Sequence, residues 1–164
     1  MGAIVSIFAK KARREARRLQ QPQVVVEVNR SIKSTTYPSL AEKIVFPEFE
    51  CSGPLSYSPQ DVGWYRTTEG FVAGEVLSYL NYKGFLRNCF KIQDGYAFQE
   101  GGVEVFREFF GDVNVNVLLF GSVVKDINGK LFSPLMYTDS TSVFVEWFSL
   151  EHVLESVFLI PYFK

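Results

Sequence analysis

The sequence predicts an α+β fold: a mainly antiparallel sheet with two short helices, preceded by a basic amphipathic N-terminal helix or arm. Three observations point there. Short runs of β-branched and aromatic residues are split by turn residues; only two stretches of the body combine helical spacing with a cap; and no strand–helix–strand crossover repeats, which argues against a parallel α/β fold. A chain of 164 residues, 47% hydrophobic and 21% charged, has the composition of one globular body, residues 22–164, behind an arm at 1–21.

On a helical wheel Ile4, Val5, Phe8, Ala12, Ala16 and Leu19 share one face, Lys10, Lys11, Arg13, Arg14, Arg17 and Arg18 take the other, and Pro22 ends the helix. Val24 to Val28 then reads as a strand and Lys43 to Phe46 as another. Three prolines (Pro47, Pro54, Pro59) with Ser and Gly mark a long loop from Pro47 to Gly63. Thr67 or Thr68 is placed to cap a helix reaching about Tyr82, with Gly84 as its stop. Phe85 to Phe90 and Tyr96 to Phe98 look like strands around an Asp94-Gly95 turn; Val103 to Phe110 fits helix or strand, and Gly101-Gly102 a turn. The clearest strand is Val113 to Phe120, whose alternation starts with one buried face and ends with two. Its partner, Lys130 to Met136, follows the Asn128-Gly129 hairpin signal. Val143 to Phe148 adds a strand, Ser149 can cap a short helix through Val157, and Phe158 to Ile160 form a tail ended by Pro161.

Charge is segregated. Residues 1–21 hold six basic side chains against one acidic, whereas 22–164 hold eleven against seventeen, so an arm of +5 precedes a body of −6. Such an arm suits an anionic surface, or the acidic body of another copy. Cys51 and Cys89 form no disulfide framework, in keeping with a reducing compartment and the cytoplasmic face of a membrane. The apolar stretch precedes the basic run, the reverse of a secretory signal, and no apolar run reaches the roughly 20 residues that span a bilayer.

Chemistry-bearing groups are sparse. His152 is the only histidine, and beside Glu151 and Glu155 it reads as a surface residue. Cys89, inside an apolar run, reads as a small buried hydrophobe. Glu48 and Glu50 read as solvated charges. With no Gly-rich phosphate loop, zinc motif or paired-cysteine spacing, the inventory predicts a non-enzyme with no catalytic residue, metal or cofactor. The sixteen phenylalanines and eight tyrosines lie in apolar runs and not among Lys and Arg, so most belong to a core; the arm alone is suited to phosphate backbones.

Met1-Gly2-Ala3-Ile4-Val5-Ser6 reads as an N-myristoylation signal at Gly2, with Ser6 in the Ser/Thr position. One myristoyl chain holds a protein to a bilayer at only about 10⁴ M⁻¹, so stable attachment needs a second signal, which the basic run supplies. Ile4, Val5 and Phe8 would insert, and each cation would add about 1 kcal/mol near an anionic leaflet. Tyr37-Pro38-Ser39-Leu40 matches a Y-P-x-L late-domain motif: Pro38 pre-sets an extended segment that offers Tyr37 and Leu40 as two anchors. The same residues also satisfy a Tyr-x-x-apolar sorting signal for clathrin adaptors, or simply pack in a core. Together, the acylation signal, basic arm, Y-P-x-L stretch and α+β body resemble the matrix proteins of enveloped RNA viruses, with a layout similar to rhabdovirus-like and related negative-strand virus matrix proteins. The resemblance covers about the first 40 residues. It implies a structural protein of the virion's inner layer that binds the host membrane, self-associates through its acidic body or a sheet edge, supports budding with host scission machinery, and contacts a viral nucleocapsid. A lipid-anchored trafficking adaptor and a nucleic-acid-binding accessory protein, such as a movement or silencing-suppressor protein, are the competing expectations.

Overall fold

The computed structural model describes residues 24–32, 41–46, 53–139 and 141–164. In chain order these form β1 (Val26–Glu27), β2 (Ala41–Phe46), β3 (Ser56–Tyr57), β4 (Val62–Arg66), α1 (Ala73–Tyr82), α2 (Ile92–Phe110), β5 (Asn116–Leu118), β6 (Val123–Asp126), β7 (Leu131–Thr138), β8 (Val143–Ser149) and β9 (Phe158–Phe163). The α+β class is as the sequence predicts. The helix expected over residues 4–19 lies outside the described residues.

β1 and β3 make a small antiparallel ribbon, and the other seven strands make a sheet in the order β2-β6-β7-β5-β9-β4, with β8 on the free side of β7. All its pairings are antiparallel except β5 with β9. The chain from Val117 to Phe120 is buried on both faces. Val117 and Leu119 join Phe98, Phe106, Phe109 and Met136 on the α2 side, while Leu118 and Phe120 join Val76, Leu77, Leu80 and Ile160 on the α1 side. A two-residue period along one strand thus places the two helices on opposite faces of the sheet. Each fully buried Phe or Leu here contributes about 1.5–3 kcal/mol.

Several elements differ from the sequence reading, each for a local reason. The expected loop from Pro47 to Gly63 contains β3, a 3₁₀ turn at Pro59–Asp61 and the start of β4. Gly63 lies against the Tyr162 ring, where a Cβ would come within 2.5 Å of Cε2; the glycine that looks like a loop residue is a close-approach residue inside a strand. The Asp94-Gly95 pair is not a hairpin turn. The Asp94 carboxylate accepts the Lys91 N–H at 2.7 Å, which caps α2, and Gly95 fits its helix against Leu119 and Val145. Phe85 to Phe90 holds a 3₁₀ turn, Tyr96 to Phe98 are helical, and Val103 to Phe110 is helix. Gly101-Gly102 interrupts that helix without ending it: Gly102, at φ 78° and ψ −178°, kinks it.

α1 starts at Ala73 and not at Thr67 or Thr68. The buried Thr67 is held by β9 instead: its Oγ1 accepts the Phe158 N–H at 2.9 Å, and its N–H donates to the Phe158 carbonyl at 3.0 Å. The expected Ser149 helix is replaced by a chain segment whose carbonyls serve α1. Ala73 N–H donates to His152 O at 3.1 Å and Gly74 N–H to Leu150 O at 2.8 Å, so donors that a helix leaves free at its start are satisfied by tertiary contact. Phe158 to Phe163 is a full strand running through Pro161. Phe90 N–H donates to the Pro161 carbonyl. In an extended strand a residue's N and C=O point to the same side, so the missing N–H of Pro161 falls beyond the end of β5 and removes nothing from the β4 ladder.

The hairpin signal holds. Asp126 Oδ1 accepts the N–H groups of Asn128 and Lys130 at 2.9 and 2.8 Å, and Gly129 takes φ 85°. It joins β7 to β6, a strand not foreseen, while the clear strand of the sequence shortens to β5 and pairs further along β7 at Val117↔Met136.

Gly121 follows the doubly buried run, and a Cβ there would collide with the backbone carbonyl of Cys89 and approach that of Phe90 at 2.7 Å. Backbone cannot rotate out of the way as a side chain can. Gly121→Ala is expected to lower the unfolding free energy by about 2–3 kcal/mol, measured by urea denaturation, with an unchanged midpoint refuting the close contact.

Candidate functional site

The expected acylation site Gly2, the membrane residues Ile4, Val5, Phe8, Lys10, Lys11, Arg13, Arg14, Arg17 and Arg18, and the partner-binding Tyr37, Pro38 and Leu40 lie outside the described residues. Cys51, Glu48 and Glu50 do too. The described body carries three features with chemical content of their own.

The first is a buried ion pair that no local signal reveals, because its members are 64 positions apart. Arg30 (5% exposed) and Asp94 (fully buried) form a two-pronged pair, Nη1 to Oδ2 and Nη2 to Oδ1, both 2.8 Å. Arg30 Nε and Nη2 also donate to the Pro54 carbonyl at 3.2 and 2.9 Å, and its guanidinium lies 5.8 Å from the Phe163 ring centre. The arrangement ties the segment after β1, the chain before β3 and the start of α2 together. Next to it, burial above all, and then the Asp94 charge, push the Tyr57 hydroxyl far above its ordinary value, so it stays protonated. The Arg30 donors that bind Asp94 and Pro54 draw three separate segments together, so the pair acts as a clasp, while the buried Tyr57 hydroxyl beside it finds no hydrogen-bond partner among the described residues. Arg30→Met should cost about 3–5 kcal/mol, because it strands the Asp94 charge in the interior. Arg107→Met, which breaks the exposed 2.8 Å pair with Glu104, should cost under about 1 kcal/mol; equal losses in urea titrations would contradict the clasp.

The second is the pair of side chains that could serve as nucleophile or base, Cys89 and His152. The Cys89 thiol is buried and donates to the Phe85 carbonyl at 3.5 Å; burial pushes its pKa up to about 12 from 9.0. A protonated, inaccessible thiol is a poor nucleophile. His152 is exposed and sits edge-on to the Phe148 ring at 5.3 Å, in a turn and not on the helix expected for it. Between pH 9.0 and about 12 the unfolded chain releases a Cys89 proton that the folded chain keeps, so stability should fall as pH rises through that window. In the native protein at mildly alkaline pH, iodoacetamide should leave Cys89 unlabelled by peptide mass mapping until denaturant is added; rapid native labelling would show the thiol to be reactive.

The third is a cleft of about 560 Å³ between the end of β4 and α1, lined by Tyr65, Arg66, Thr68, Phe71, Glu75 and Tyr79. Tyr65 and Tyr79 pack at 6.0 Å, and Phe71 is exposed. Its size falls in the range of small-ligand sites. Nothing local marks the cleft, because it forms only where the chain at the end of β4 meets the start of α1, and the sequence reading places a helix cap at Thr67 or Thr68 in between. Beyond it, at the C-terminal end of α1, further aromatic rings stand in solvent around Lys83. Among the described residues no group of three or more His, Cys, Asp or Glu is placed to hold a metal ion, and no helix is long and apolar enough to cross a membrane.

The fold and these features define an α+β protein whose sheet carries a helix on each face. No protein-family model, curated protein or solved structure matches the chain.

Proposed function

We propose that the protein is a non-enzymatic, matrix-like structural protein that binds the inner face of a host membrane through myristoylated Gly2 and a polybasic helix, self-associates, and supports assembly and budding of a virion. One observation carries this reading: an acylation signal followed at once by Lys10, Lys11, Arg13, Arg14, Arg17 and Arg18, ahead of a body of opposite net charge. A single acyl chain holds only marginally, and a cluster of cations next to it is the complement that makes attachment durable. The same opposition of charge gives copies on a membrane a head-to-tail contact, arm to acidic body. Tyr37, Pro38 and Leu40 supply the contact to host scission machinery.

Intact mass spectrometry of protein from eukaryotic cells should show loss of Met1 and gain of a myristoyl group. In liposome flotation, Gly2→Ala and a variant with the six arm cations changed to Gln should each bind phosphatidylserine-containing vesicles at least about tenfold more weakly than wild type. Equal binding by all three proteins discards the anchoring model.

A further inference from the structure

We infer that the turn joining α1 to the Leu86–Asn88 3₁₀ turn is a second membrane-contacting surface, which presents Tyr79, Tyr82, Lys83, Phe85 and Arg87 to an anionic bilayer. The inference rests on the membrane reading above and gives the body a defined side toward the lipid.

Its basis is local composition and exposure. From Val76 to Gln93 the sequence holds no acidic residue and three basic ones, in a body whose net charge is −6. Leu77 and Leu80 commit one face of α1 to the core, so the opposite face and the turn after it point to solvent. There Tyr82 is 84% exposed, Tyr79 47% and Phe85 39%. Three neighbouring aromatic rings so exposed at one end of a helix form a patch that calls for a partner. Gly84, at φ 76°, turns the chain sharply and ends the helix, which leaves Tyr82 projecting from the surface.

The charges identify the partner's chemistry. Lys83 Nζ lies 5.7 Å from the Tyr79 ring centre and 5.5 Å from that of Tyr82, so a cation sits directly above apolar rings. Lys83 and Arg87 are exposed, and neither has a carboxylate partner among the described residues. Rings carrying a polar edge, with unpaired cations beside them, match the bilayer boundary: the aromatic bodies reach the upper acyl region while the ammonium and guanidinium stay among the phosphates. A projecting cluster also fits a yielding surface better than single-stranded nucleic acid, which needs rings set along a groove that follows the backbone. An acidic body is otherwise repelled by an anionic leaflet, so the longest acid-free stretch of the body, which also exposes Lys83 and Arg87, sets the orientation in which an anchored body can approach.

The test uses full-length proteins, with and without Tyr82→Ser/Lys83→Ser, each in the native and the Gly2→Ala background, in flotation with phosphatidylcholine vesicles containing or lacking phosphatidylserine. Both positions are exposed, so thermal unfolding should be unchanged. The double substitution should weaken binding to phosphatidylserine vesicles about tenfold in the native background and lower any residual binding in the Gly2→Ala background. Tyr82→Trp/Lys83→Arg should retain binding. If the double substitution leaves binding unchanged in both backgrounds, the surface is overturned even where Gly2→Ala shows the anchor to be real. If it weakens binding while Gly2→Ala has no effect, the surface stands and the acyl anchor falls. Loss of single-stranded oligonucleotide binding with vesicle binding intact overturns the assignment to lipid, and a wild-type protein that binds no vesicles overturns both readings.

Discussion

The structure depends on four consecutive residues, Val117 to Phe120, that have no solvent-facing side. All four are fully buried. A strand buried on one face needs one covering layer, but this one needs two, and the chain supplies them as α1, with Val76, Leu77 and Leu80, and α2, with Phe98, Val103, Phe106 and Phe109. The neighbours follow from the same constraint. Gly121 must be small because the chain leaves this run directly under the Cys89 and Phe90 carbonyls, and Gly95 must be small because α2 comes down onto Leu119.

A second layer of constraint is polar. Burying helix starts and a guanidinium inside such a body demands partners, and the chain finds most of them across long sequence distances: Leu150 and His152 carbonyls for α1, and for Arg30 the Asp94 carboxylate that also caps its own helix locally through Lys91. These contacts add specificity that apolar packing lacks, because a donor left unpaired inside a protein costs about 1–3 kcal/mol while a shifted methyl group costs less.

This division explains what could be read from the residues alone. Signals that act within a few positions were legible: the Asp126–Gly129 turn, the Gly84 stop, the alternation after Val113 and the β7 and β8 strands all stand. Assignments failed where a distant partner decided. Thr67 looks like a cap but is claimed by Phe158; Ser149 looks like a cap but its segment is claimed by α1; Asp94-Gly95 looks like a turn but faces Arg30 and Leu119. The same limit applies to the candidate sites. The exposed rings of Tyr79, Tyr82 and Phe85 lie in runs that also contain Leu77, Leu80 and Leu86, so composition alone assigns them to the core; only the helix orientation separates the two sets.

The place of β9 has a consequence for how the chain reaches this state. Residues 158–163 lie between β5 and β4, within the sheet and not at its margin, and β5 meets β9 in parallel. Strands 40 and more positions apart must therefore find each other before the sheet is continuous, and such distant pairing is slow. A ribosome that has released everything up to β8 still holds back the piece that joins β4 to the other strands, so the body matures only after translation has passed that point, and the β5 edge and β4 wait in the meantime with open ladders on which chaperones can act.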